Sequence, residues 1–86
     1  MTWKVEYLSS AAKSFEKIDP QQRRRIRAYL EERVVSLEHP RQLGKPLWGE
    51  LTEFWRYCLG DYRIICQIQD DRLVVLIVRA SHRKDV

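Results

Sequence analysis

The spacing of apolar and polar positions changes period along this chain. From Trp3 to Leu8, Trp3, Val5 and Tyr7 fall on one side and Lys4 and Glu6 on the other, the two-residue period of a strand with one buried face. Ala11 or Ala12, Phe15 and Ile18 then recur at helical spacing, and Ser9 or Ser10 is placed to cap that short helix. Asp19-Pro20-Gln21-Gln22 starts a second helix. Asp19 takes the N-cap, Pro20 the first helical position, and Gln22 the capping-box position. Ile26, Leu30, Val34 and Leu37 follow at four- and three-residue steps, with Tyr29 on the flank. The helix should stop before Pro40, because the residue ahead of a proline avoids the helical region. Two helices joined by a tight corner resemble an αα-hairpin.

The stretch from Arg41 to Leu51 has no period and contains Gly44, Pro46 and Gly49, so it reads as a loop. Beyond it come three runs dominated by β-branched and aromatic residues, Glu53 to Leu59, Tyr62 to Gln69 and Arg72 to Ala80. Gly60-Asp61 and Asp70-Asp71 are the turns between them. In the first run Trp55, Tyr57 and Leu59 oppose Phe54, Arg56 and Cys58. In the second, Arg63, Ile65 and Gln67 oppose Tyr62, Ile64, Cys66 and Ile68. Leu73 to Val78 is apolar on both sides and reads as a central strand. The order strand, helix, helix, strand, strand, strand predicts one α+β domain over residues 1–86. Two N-terminal helices pack on one face of a mostly antiparallel four-stranded sheet, and the other face is open or covered by a partner. There is no internal repeat and no low-complexity segment.

Composition adds a bias toward anions. Eighty-six residues with 44% hydrophobic positions support one small core. The formal net charge is +4, with eleven Arg against five Lys. Arginine suits planar, bidentate phosphate contacts, so a nucleic acid or an acidic protein is an admissible partner. Cys58 and Cys66 read as two buried thiols rather than a disulfide. No Cys/His spacing suggests a metal site. The absence of a long apolar run or a signal-peptide pattern predicts a cytoplasmic location with no membrane partner.

Candidate chemistry concentrates in the last third. Arg56 and Arg63 are either solvated strand residues paired with Glu53 or Asp61, or a grip on a phosphodiester that stabilises the extra charge of a phosphorane-like transition state. Ser81 to Lys84 is either a soluble end or part of the same site. His82 has the side-chain type suited to proton transfer near neutrality, and Arg83 would add a further charge. Arg79 joins the cluster or snorkels to the rim. Lys45 is placed to contact a nucleic-acid backbone. Trp48 either stacks on a base or, the preferred reading, closes the core edge; Trp3 and Trp55 read as core. Arg23, Arg24, Arg25 and Arg27 open the second helix, where cations oppose the macrodipole. That conflict points to an anionic partner, RNA or acidic protein. His39 reads as a surface loop residue.

These residues resemble the RelE toxins of bacterial toxin–antitoxin systems, within the wider RelE/ParE superfamily. The likeness covers essentially the whole chain. It rests on the element order, the loop Leu43-Gly44-Lys45-Pro46-Leu47-Trp48-Gly49-Glu50-Leu51, the segment Gly60-Asp61-Tyr62-Arg63-Ile64-Ile65-Cys66-Gln67-Ile68, and the ending Ser81-His82-Arg83-Lys84-Asp85-Val86. The resemblance implies a ribosome-dependent endoribonuclease that cleaves mRNA in the A site. The ribose 2′-OH attacks the adjacent phosphodiester and leaves a 2′,3′-cyclic phosphate, with no metal or cofactor. Arg56, Arg63 and Arg83 match basic positions of that site, and His82 lies where some relatives place a proton-transfer residue. Lys45, Arg79, Lys84, Arg23, Arg24, Arg27 and Phe54 then read as contacts to RNA or ribosome. The pattern departs from the family twice. Many members carry a catalytic Tyr immediately after the residue matching Val86, where this sequence ends; either the chain continues past Val86, or the proton transfer falls to His82. A strand position that is often Lys is Phe54, which can stack on a base but carries no charge. The implied partners are a cognate antitoxin, the ribosome and mRNA, with operator DNA bound only through the antitoxin. The alternatives are a ParE-type gyrase poison with the same fold and a non-catalytic basic RNA-binding module.

Overall fold

The computed structural model describes residues 2–47 and 54–85. Strand β1 (Lys4–Tyr7) leads into helix α1 (Ser9–Glu16) and helix α2 (Pro20–Ala28), which widens into a π-helical segment over Tyr29–Val34. A 3₁₀ turn at Pro40–Gln42 precedes β2 (Lys45–Pro46), β3 (Phe54–Leu59), β4 (Tyr62–Gln69) and β5 (Val74–His82), and a second 3₁₀ turn covers Arg83–Asp85. The α+β architecture is as expected, except that the sheet has five strands, not four, in the order β1-β5-β4-β3-β2. The additional strand is β2, inside the stretch read as loop. Two residues are too few to display an alternation. Gly44 makes this strand possible: its φ is +78°, and a Cβ there would collide with the Arg56 carbonyl oxygen.

Pairing is antiparallel except between β1 and β5. β5 is interior, flanked by β1 and β4, and Val74 and Val75 are both buried. This explains its unbroken apolar run. The core lies between the helices and one sheet face. Phe15, Ile26, Leu30 and Val34 meet Tyr57, Ile64, Cys66, Val75 and Ile77 there. The Tyr57 hydroxyl donates to the Pro40 carbonyl at 2.6 Å, and Trp55 Nε1 donates to the Leu43 carbonyl at 2.6 Å. These two bonds tie the connecting loop to β3. Burial pushes the Tyr57 phenol well above its ordinary pKa and the Cys66 thiol up to about 12. Cys58 corrects the expectation of two buried thiols: it is exposed, because alternation sends it to the face away from the helices.

The helix starts differ in part from their sequence signals. Asp19 caps α2 by accepting from the Gln21 N–H at 3.1 Å, but Gln22 instead accepts from Arg25. The reciprocal box forms at His39 and Gln42. His39 Nδ1 accepts from the Arg41 N–H, and Gln42 Oε1 accepts from the His39 N–H, each at 3.2 Å. At α1 neither serine caps; Leu8 occupies the N-cap without a side-chain bond. Ser10 and Ser14 turn to the sheet instead. No described helix is long and apolar enough to cross a membrane.

Candidate nucleic-acid interface

Cross-strand partners share a sheet face. Lys45 is opposite Arg56, Arg56 opposite Ile65, and Ile65 opposite Arg79. In the next row Cys58, Arg63 and Ser81 align. Lys45, Arg56, Arg63 and Arg79 therefore share the face away from the helices, with Phe54 on the same face two residues before Arg56. None of these four cations has an ion-pair partner among the described residues. Arg56 is half-buried, and its Nε is shielded from solvent with no hydrogen-bond partner. Like charges directly opposite, as at Lys45 and Arg56, destabilise a sheet. This face is thus poorly satisfied by the protein alone and electrostatically prepared for an anion.

A bulge decides which β5 side chains join it. Ile65 pairs with Arg79, but Cys66 pairs with Ile77, so Val78 is one extra residue on β5. The alternation flips there. Val75 and Ile77 face the helices before it, and Ala80 and His82 share that side after it, which leaves Arg79 and Ser81 on the open face. β1 ends opposite Ile77, so β5 has no strand neighbour on that flank from Val78 onward. Helix α1 substitutes for one. Ser10 Oγ donates to the Val78 carbonyl at 2.8 Å, and Ser14 Oγ accepts from the Ala80 N–H at 3.0 Å while donating to the Ala11 carbonyl at 2.7 Å.

His82 consequently lies on the side opposite the arginines. Its ring is edge-on to Tyr62 at 5.3 Å. Nδ1 accepts from the Lys84 N–H at 3.1 Å, so the neutral ring carries its hydrogen on Nε2, which stands 3.9 Å from Asp61 Oδ2. The Arg83 N–H donates to the Asp61 carbonyl at 2.7 Å, and its Nε is 3.5 Å from Asp61 Oδ1. Asp61 thus tethers the chain's end to the β3–β4 turn rather than pairing with Arg56 or Arg63. Arg83 and Lys84 are exposed just past the end of β5.

The α2 cations occupy the helical layer. Arg23 donates to the Ile18 carbonyl at 3.0 Å, answering a backbone acceptor just past the end of α1. Arg27 lies over the rings of Tyr7 and Phe15, at 5.0 and 5.4 Å. Both have structural partners; Arg24 is exposed. Trp48 and Glu53 lie outside the described residues. Sequence reasoning missed Lys13, Lys17 and Tyr62, which line a cleft of about 600 Å³ together with Arg79 and His82. The four-residue step from Lys13 to Lys17 was the available signal.

A family model described as the ParE toxin of type II toxin–antitoxin system, parDE, matches residues 5–86. The chain belongs to the RelE/ParE superfamily of type II toxins. This RelE/ParE toxin is 31% identical over 87 residues to Toxin RelG of Mycobacterium tuberculosis, covering 100% of this chain and 97% of that one. Its structure is similar to the toxin–antitoxin complex RelBE2 of Mycobacterium tuberculosis, with a TM-score of 0.85 and 25% identity over 96% of this chain and 93% of the other. It also shares its fold with a mutant of Escherichia coli RelE in the free state, at a TM-score of 0.78 and 17% identity over 99% and 87% of the two chains.

Proposed function

We propose that this toxin is a ribosome-dependent mRNA endoribonuclease acting in the A site. The observation that carries the reading is the open sheet face, where Arg56, Arg63, Arg79 and Lys45 converge without acidic partners. Arg63 and Arg83 hold the scissile phosphate, and Arg56 takes up charge as it develops. Lys45 and Arg79 follow the flanking backbone, with Lys84 at the end of the sheet and Phe54 as a stacking surface. Bond making joins the ribose O2′ to phosphorus and expels O5′, leaving a 2′,3′-cyclic phosphate. The 2′-OH gives its proton to water, and O5′ takes one from water; His82, the expected proton donor, lies on the side opposite the arginines and takes no part in this step. Arginine stays protonated and is no base. The protein's contribution is therefore electrostatic, with the ribosome supplying orientation of the mRNA.

The structural relatives from Methanococcus jannaschii and Pyrococcus horikoshii are RelB–RelE complexes. By analogy the partner of this toxin is a cognate antitoxin whose disordered segment folds across the open face. Operator DNA is then reached only through that antitoxin.

The test is Arg63→Ala on mRNA-programmed ribosomes, with cleavage read by primer extension. Arg63 makes no ion pair among the described residues, so the variant keeps its fold. Cleavage should fall on the order of 100- to 1,000-fold. Cleavage at the wild-type rate would remove Arg63 from the mechanism. The ParE description of the matching family favours a second reading, a gyrase poison. Loss of supercoiling activity on adding toxin to gyrase, with mRNA left intact on ribosomes, would select it.

A further inference from the structure

We infer that the cleft between α1 and the end of β5 holds a second phosphate of the RNA strand, adjacent to the one gripped on the open face. The inference rests on the ribonuclease reading. The cleft exists because β1 ends at Tyr7 and α1 takes over the flank of β5, which leaves space beside the strand. Lys13 and Lys17 line it from the helix, His82 and Tyr62 from the sheet, and Arg79 from the rim. No carboxylate lines it, and neither lysine has an ion-pair partner among the described residues. Like charges four residues apart on a helix repel. A bound anion would reverse that penalty.

A nucleic-acid phosphate fits better than an acidic peptide. A peptide adding to the strand edge would need free backbone groups on β5. The Val78 carbonyl and the Ala80 N–H are already engaged by Ser10 and Ser14. What remains is a set of side-chain donors (two ammonium groups, a guanidinium, an imidazole N–H and a phenol), the inventory that reads phosphate oxygens. Arg79 connects the two sites, because it belongs to the open face by register and also lines the cleft.

The experiment measures binding of a fluorescein-labelled single-stranded RNA, blocked by a 2′-deoxy group at the cleaved position, across a salt series. Removing both lysine contacts to this one phosphate with a Lys13→Ala/Lys17→Ala variant should lower the slope of log affinity against log salt by about 0.7. Both lysines are exposed, so thermal unfolding should be unchanged. A wild-type slope in the double variant overturns the inference. An unchanged slope accompanied by weaker binding of a poly-glutamate peptide also overturns it, and assigns the cleft to a protein. If the wild-type toxin leaves mRNA intact on ribosomes while the lysine variant shows the reduced slope, the cleft stands as an RNA site and the ribonuclease reading falls.

Discussion

Replacing Arg56 by Met should make this toxin more stable while disabling it. Arg56 faces Lys45 across the β2–β3 pair, with no ion-pair partner and a shielded Nε that has no acceptor. Opposed like charges in a sheet cost about 0.2–1 kcal/mol. An unmade hydrogen bond at a buried polar atom costs about 1–3 kcal/mol. Methionine retains most of the half-buried aliphatic stem and removes both penalties. A gain of about 1 kcal/mol is expected, equivalent to a rise of about 4–8 °C in Tm for a domain of this size. Urea unfolding should show a higher midpoint with an unchanged m-value, and mRNA cleavage should fall by at least the order of 100-fold expected for losing a transition-state contact. A lower midpoint would mean that the guanidinium is satisfied and stabilising, and the argument that this face awaits an anion would be wrong.

Three further outcomes follow from the packing. Tyr57→Phe leaves the Pro40 carbonyl without its 2.6 Å donor, and chemical denaturation should show a loss of about 1–2 kcal/mol; an unchanged midpoint would mean the loop is held by other contacts. Ser14→Ala strands the buried Ala80 N–H at a cost of about 1–3 kcal/mol, and amide exchange at Ala80 should accelerate more than at Ile64; equal acceleration would refute the local role. Alkaline pH should weaken the fold. Burial raises Cys66 and Tyr7 to about 12 and Tyr57 higher still, while the same groups ionise near 9.0 and 10.0 when unfolded. Their contribution is complete below pH 9, declines as pH rises past 9 to 10, and is gone above the folded values; a flat unfolding midpoint between pH 8 and 11 would contradict this.

The fold was largely legible because its elements are long enough to display a period. Phe15, Ile26, Leu30 and Val34 mark the helices, and Tyr57, Ile64 and Cys66 mark the inner sheet face. The turn at Gly60-Asp61 carries its own signal, and Gly60 has a φ of +59°. Strand β2 was hidden by its brevity. The open-face placement of Arg56 and Arg63 followed from simple alternation. The opposite faces taken by Arg79 and His82 did not, because the run from Leu73 to Val78 is apolar on both faces and gives no phase to count from. The partners of Arg23, Arg27 and Arg41 were also invisible, since each depends on a contact between separate elements. Arg41, for example, meets Asp70 at 2.9 and 3.1 Å from 29 positions away.

The extra residue in β5 has a genetic corollary. Loss of the single codon for Val78 would leave every neighbouring letter intact. It would remove the bulge and leave Arg79 opposite Ile65 and Ala80 opposite Ile64, each on its present face. Toxins of this architecture with and without the extra residue would therefore present the same ionisable groups to the same substrate, and aligning their sequences without allowing for the insertion would compare the wrong side chains.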